Sequence, residues 1–273
     1  NLKDENLLDF WKYEFAKAGD YQKVKMISPI TNKIGRFLFS PTAKRILEQD
    51  KSTINFDEIM NEGKILLSNV SKGKIGEDNS EVFGVVIVAK IQLAALKRAR
   101  MAMKDRKDFY LYVDEFQNFA TPAFAQILSE ARKYKLGAIL AHQTTSQIED
   151  KSLINVTLAN TGTVICFRTA NPEDEKLILP QFQPYVEKGE IASLPSFRFY
   201  MRLGALNPEE PFSGTTTLTT IGENSERVNE VIASSRERYA IKYVEKKTEN
   251  YREGYVAKKK PYKSKRKSSG ILP

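Results

Sequence analysis

Two adjacent acids, Asp114 and Glu115, follow the apolar and aromatic run FYLYV at residues 109–113. A buried strand ending on two carboxylates is the form expected where a strand delivers acids to a nucleotide. The first would hold Mg2+, usually through a water. The second would orient and deprotonate the water that attacks a terminal phosphate. Neighbouring strand residues point to opposite faces, but the run stops at Val113, so both side chains can turn toward one ligand. The same pair also reads as two solvated acids, favoured by the N-terminus of the following helix.

Three further groups could join such chemistry. Gln143 closes the next apolar run as Ala141-His142-Gln143, where a neutral amide can bond both a phosphate oxygen and the attacking water. His142 could act as a base, although a lone histidine is more often a hydrogen-bonded structural residue. Arg168 follows TVICF and could neutralise phosphate charge in a neighbouring subunit's site, or simply pair with Glu173 or Glu175. Lys97, Arg98 and Arg100 end a long apolar stretch and could face nucleic acid, yet helix C-termini favour basic side chains in any case.

The elements that must position these residues alternate. FYLYV predicts a strand, and Thr121-Pro122 opens a helix with a cap and a first-turn proline. Phe124, Ile127, Leu128 and Ala131 follow its one-face spacing. Ala138–Ala141 and Thr163–Phe167 predict further strands, and Asn171-Pro172-Glu173-Asp174 a capped helix start. Lys64–Val70 reads as a strand after Gly63, and Phe83–Ala102 as a buried helix capped by Asn79 or Ser80. Its VFGVVIV run would also suit a strand. Strands separated by helices imply βαβ units, an α/β fold and a mostly parallel sheet flanked by helices. Ligands then sit at the carboxyl ends of the strands.

The flanks carry weaker patterns. Asn1–Gly19, Pro41–Gln49 and Ile54–Met60 read as short helical pieces, so residues 1–60 form an accessory or linker segment. Phe197–Leu203 suits an edge strand, and Thr215–Thr220 is a polar β-prone stretch. Ser225–Lys247 suits a charged helix with Val228, Val231, Ile232 and Tyr239 on one side. The organisation expected is a core over 61–210, a strand and helix extension over 211–250 and a disordered basic tail over 251–273.

Composition excludes several classes. The chain has 273 residues, 41% apolar and 10% aromatic, enough for a substantial core. One cysteine and one histidine leave no internal disulfide and no cysteine-rich zinc site, and favour a reducing compartment. No apolar run approaches the roughly 18 residues of a membrane span. The net charge of +9 is concentrated in the tail, where Lys258, Lys259, Lys260, Lys265, Arg266 and Lys267 stand without acids. Such a tail reads as a nucleic-acid or anionic-surface contact, or as a solubilising end. The phosphate-cradle pattern G-x-x-x-x-G-K-[ST] does not occur.

Taken together, the string YLYVDEFQNFATPAFAQILSEARKYKLGAILAHQTTSQI resembles the second half of the motor domain of conjugative DNA-transfer ATPases. These are the type IV secretion coupling proteins, within the FtsK/HerA-like hexameric P-loop ATPases. FDEIMNEGKILLSNVSKGKIGEDNSEVFG and NTGTVICFRTANPEDEKLI are similar to the segments flanking that string, so the resemblance covers roughly residues 35–205. It implies a partial RecA-like P-loop NTPase core, with Asp114 and Glu115 as Walker B acids, Gln143 as the nucleotide sensor and Arg168 as a trans-acting finger. It also implies ATP and Mg2+, a homo-oligomeric ring around DNA, relaxase and secretion-channel partners, and a place on the cytoplasmic side of the inner membrane. The phosphate loop and membrane anchor of that family lie upstream of the resembling residues. With Asn1 rather than methionine at the start, the chain is read as the C-terminal portion of a longer pump: an ATPase as a whole, inactive as this piece alone. The alternative is a non-hydrolysing RecA-like adaptor or binding module. A different metal-dependent hydrolase would need further ligands that the sequence does not mark.

Overall fold

The computed structural model describes residues 4–38, 40–148, 150–204 and 209–243. α1 (Glu5–Asp9) starts at Asp4, whose carboxylate accepts from the backbone N–H groups of Asn6 and Leu7. It continues as a π-helical turn over Phe10–Phe15. α2 (Asp20–Leu38) has no counterpart among the sequence expectations: Pro29 lies inside it, and Tyr21, Val24 and Ile30 stay exposed. α3 (Pro41–Leu47) and α4 (Phe56–Glu62) form where expected, because Ser40 and Asn55 accept from free first-turn N–H groups.

The short α5 (Lys72–Ile75) leads into α6 (Glu77–Lys97), the long buried helix. Its start differs from expectation. Gly76, at φ 84°, occupies the cap position, while Asn79 and Ser80 turn their side chains elsewhere. Asn79 Nδ2 donates to Ile75 O and Ser40 Oγ, and Ser80 Oγ donates to Val70 O. α6 buries Ser80, Phe83, Gly84, Val88, Ile91, Ala94 and Ala95, the three-and-four spacing of one helix face. Gly84 is required there: a Cβ would lie 2.0 Å from the Phe119 ring.

β1 (Phe109–Val113) and β2 (Leu136–Leu140) pair in parallel, Phe109 opposite Leu136 and Val113 opposite Leu140. α7 (Pro122–Glu130) crosses between them, and α8 (Lys151–Asn160) follows. Leu111, Val113 and Leu136 join Val88, Ile91, Phe116, Phe124 and Leu153 in the larger core. Each such side chain is worth roughly 1.5–3 kcal/mol on burial. Tyr110 and Tyr112, on the opposite face of β1, remain exposed.

The single mostly parallel sheet is corrected here. β3 (Thr163–Phe167), β4 (Arg198–Leu203) and β5 (Phe212–Thr215) form a second, antiparallel sheet in the order β3-β4-β5. β4 is its central strand, not an edge, because both β3 and β5 pair with it. α9 (Pro172–Ile178) and the turns after it close a smaller core of Val164, Cys166, Leu179, Phe182, Val186 and Ile191 over this sheet. Burial pushes the Cys166 thiol up to about 11, and the charges of Asp174 and Glu175 act in the same direction. Residues 64–70 form no strand: no described strand pairs with them, and Ile65 and Leu67 point into solvent. The polar stretch 216–220 is likewise irregular. α10 (Ser225–Tyr239) is capped by Asn224 and buries no residue. Among the described residues, no helix is long and apolar enough to cross a membrane.

Candidate strand-end carboxylate site

The parallel pairing of β1 and β2 brings their carboxyl ends together. Backbone bonds continue past the strands: Ala141 N donates to Val113 O at 3.0 Å, and Phe116 N donates to Ala141 O at 2.9 Å. Between these bonds the chain turns sharply. Glu115 adopts the left-handed region, φ 50° and ψ 46°, and opens the short 3-10 turn Phe116–Asn118. A residue with a Cβ is disfavoured there by about 1–2 kcal/mol. Burial of Phe116 against Phe124, ring centroids 4.8 Å apart, and of Phe119 beside Gly84 holds the turn in place.

The turn presents the Glu115 carboxylate between two amides. Gln143 Nε2 donates to Oε1 at 2.7 Å from the end of β2, and Gln117 Nε2 donates to Oε2 at 2.5 Å from the turn itself. Asp114 stands beside them, exposed, its Oδ1 accepting from the Glu115 N–H at 3.0 Å. Gln117 escapes the sequence reading. Its two-residue spacing from Glu115 is the only available signal, and it becomes meaningful only once the turn is known to be left-handed. Its Oε1 is buried without a hydrogen-bond partner among the described residues.

The other candidate residues lie apart. Arg168 is exposed at the end of β3, on the antiparallel sheet, and has no hydrogen bond to the Glu115–Gln143 pair. Of its two expected partners, Glu173 or Glu175, the second is instead buried and accepts from Gly189 N at 2.6 Å. His142 sits in the loop after β2. Desolvation holds its imidazole below the ordinary range, against the opposing charge of Asp174.

The basic set at the end of α6 needs a correction. Arg98 is fully buried and cannot meet a nucleic-acid phosphate. Its guanidinium donates to Met60 O at 2.7 Å, Lys107 O at 2.8 Å, Tyr134 O at 2.9 Å and Asn61 Oδ1 at 2.9 Å. It thereby ties α4 to the segments that enter β1 and β2. Lys97 reaches Asp57 at 2.6 Å in an exposed pair, and Arg100 is exposed. Lys258, Lys259, Lys260, Lys265, Arg266 and Lys267 lie outside the described residues.

Chemically, the arrangement offers a preorganised carboxylate with spare lone pairs, an adjacent exposed carboxylate and an amide that bridges two strands. Among the described residues no group of three or more His, Cys, Asp or Glu is placed to hold a metal ion. One or two carboxylates are nonetheless the protein share that Mg2+ needs when phosphates and waters complete its shell. In a magnesium–nucleotide complex, Asp114 and Glu115 would be the carboxylates on the magnesium side. The phosphate side has no cradle in this sequence.

Comparison with known proteins bears on this part of the chain. No curated protein matches it. The unbound monoclinic form of the bacterial conjugative coupling protein TrwBdeltaN70 aligns with a TM-score of 0.42 and 15% identity. That alignment covers 55% of this chain and 39% of the other, so the chain spans about two fifths of that structure. The family described as the TraM recognition site of TraD and TraG matches residues 108–178. About a quarter of the chain, from the start of β1 through Asp114, Glu115 and Gln143 to the end of α9, is thus similar to a segment of TraD and TraG.

Proposed function

We propose that this chain is part of an ATP-driven DNA-transfer coupling protein of type IV secretion, acting in a RecA-like ring at the cytoplasmic face of the inner membrane. It contributes the water-activating side of the nucleotide site. The observation that carries this reading is the Glu115–Gln143 bond between the carboxyl ends of two parallel strands. The similarity of residues 108–178 to TraD and TraG supports it.

In this reading a magnesium–ATP complex, when bound, supplies the phosphoryl group that water attacks. Asp114 would hold the metal through water, and Glu115 would accept the proton of the attacking water. Gln117 and Gln143 fix the direction of the Glu115 carboxylate, so little reorganisation remains at the moment of reaction. Gln143 donates to Glu115 here, and a phosphate oxygen of a bound nucleotide would compete for that exposed amide. That competition would make the end of β2 responsive to nucleotide. Arg168 would act on a neighbouring subunit's site, and the phosphate loop would come from outside this sequence. DNA contacts through Lys97, Arg100 and the basic tail would be to phosphates, without reading bases. Relaxase and secretion-channel components would be the protein partners.

A second reading is a non-hydrolysing binding module. It is favoured by the missing phosphate-cradle pattern and by the matched family's description as a recognition site. Glu115→Gln separates the two when made in the full natural protein carrying this chain. Turnover of ATP is expected to fall by about 100-fold or more, with nucleotide affinity nearly unchanged. Undiminished turnover rejects the role of Glu115, and no turnover in the unsubstituted protein selects the binding module.

A further inference from the structure

We infer that Asp174 is a positioning residue for Gln143, tethering the loop that carries the amide to the helix that follows β3; this rests on the reading of the site just given. Asp174 lies in the first turn of α9 and is 6% exposed. A carboxylate is costly to bury unless its oxygens are bonded. Its Oδ1 accepts from the Thr145 backbone N–H at 2.9 Å and also from Thr145 Oγ1.

The usual employment of such an acid is capping its own helix, and that place is already taken. Asn171 accepts from Glu173 N at 3.1 Å as the cap of α9, leaving the Asp174 carboxylate to reach another element. Thr145 is two residues beyond Gln143 and begins the 3-10 turn Thr145–Gln147, where Thr144 Oγ1 accepts from Ser146 N. The loop is therefore held at three points: by the Ala141 backbone bonds to the end of β1, by Asp174 in its middle and by buried Ile148 at its far end. Gln143 lies between the first two. Its own side chain is exposed, so the direction of its amide depends on how firmly the backbone beneath it is fixed. Asp174 also follows Arg168 by six residues, so the tether links the two strand ends that carry candidate groups.

The test uses the full natural protein and reads ATP turnover, nucleotide affinity and amide hydrogen exchange over residues 142–147. Asp174→Ala should accelerate that exchange by about 10-fold and lower kcat by about 10- to 100-fold, with nucleotide affinity changed less than about 2-fold. Asp174→Asn keeps an acceptor oxygen for both Thr145 donors and should restore turnover to within about 3-fold of the unsubstituted protein. Unchanged exchange, or faster exchange with unchanged kcat, overturns the inference. If Asp174→Ala fails to fold, Thr145→Val, which removes only the hydroxyl donor, is judged by the same criteria. If the unsubstituted protein turns over no ATP, the ATPase reading fails, and the tether is decided by the Gln143 side-chain amide resonance. Displacement of that resonance in Asp174→Ala supports it, and an unmoved resonance overturns it.

Discussion

Glu115 combines an unfavourable backbone with a side chain held at both oxygens. Both carboxylate oxygens accept amide hydrogens, and φ is 50°. The two effects can be separated by substitution. Glu115→Ala and Glu115→Gly both lose the two hydrogen bonds, but only alanine keeps the Cβ that crowds a left-handed residue. Glu115→Gly should therefore be more stable than Glu115→Ala by about 1 kcal/mol, read as a difference in denaturant midpoints at equal slope. Equal stabilities would show that the turn relaxes out of the left-handed region when the side chain goes. Asp114 and Glu115 are legible in the sequence because an apolar strand ending in acids is a local pattern. Gln117 and Asp174 are not, since their partners are set by a backbone turn and by a contact between a helix and a distant loop.

Among the elements, α3, α4, α7 and α9 and the strands β1, β2 and β3 follow from local sequence, whereas α2 and α8 are not read from it. The signals of the former are short apolar runs and cap residues. The sheet arrangement does not follow. Nothing in TVICF or RFYMRL states that they pair with each other in antiparallel register, because strand pairing is decided by non-local packing. Residues 64–70 show the reverse error: KILLSNV has strand composition, but a strand needs a neighbour to satisfy its backbone. Arg98 misleads for a related reason. At a helix C-terminus a basic residue reads as solvated, yet three backbone carbonyls and Asn61 converge on it. Arg98→Ala would leave those acceptors buried and open a cavity between α4, α6 and the starts of β1 and β2. A loss of about 3–5 kcal/mol is expected, measured by chemical denaturation. A loss under about 1 kcal/mol would mean that water replaces the guanidinium without cost.

At the scale of the whole molecule, the charge lies at one end. The basic tail, outside the described residues, holds most of the excess positive charge. If it contacts DNA through phosphates, deleting residues 256–273 should weaken binding at low salt and flatten the dependence of log K on log salt. The flattening should be about 0.7–0.9 for each lost contact. Identical affinity and slope with and without the tail would assign it to another role. The buried position of Cys166 has a practical corollary. It is the sole thiol of the chain. With burial pushing its ionisation up to about 11, the thiol stays protonated and unreactive at neutral pH. A cysteine introduced on the surface, for instance in place of exposed Tyr112, would then be the dominant target of a maleimide dye or spin probe. The native background is quiet enough for such a label to be read without first removing a residue from the core of β3.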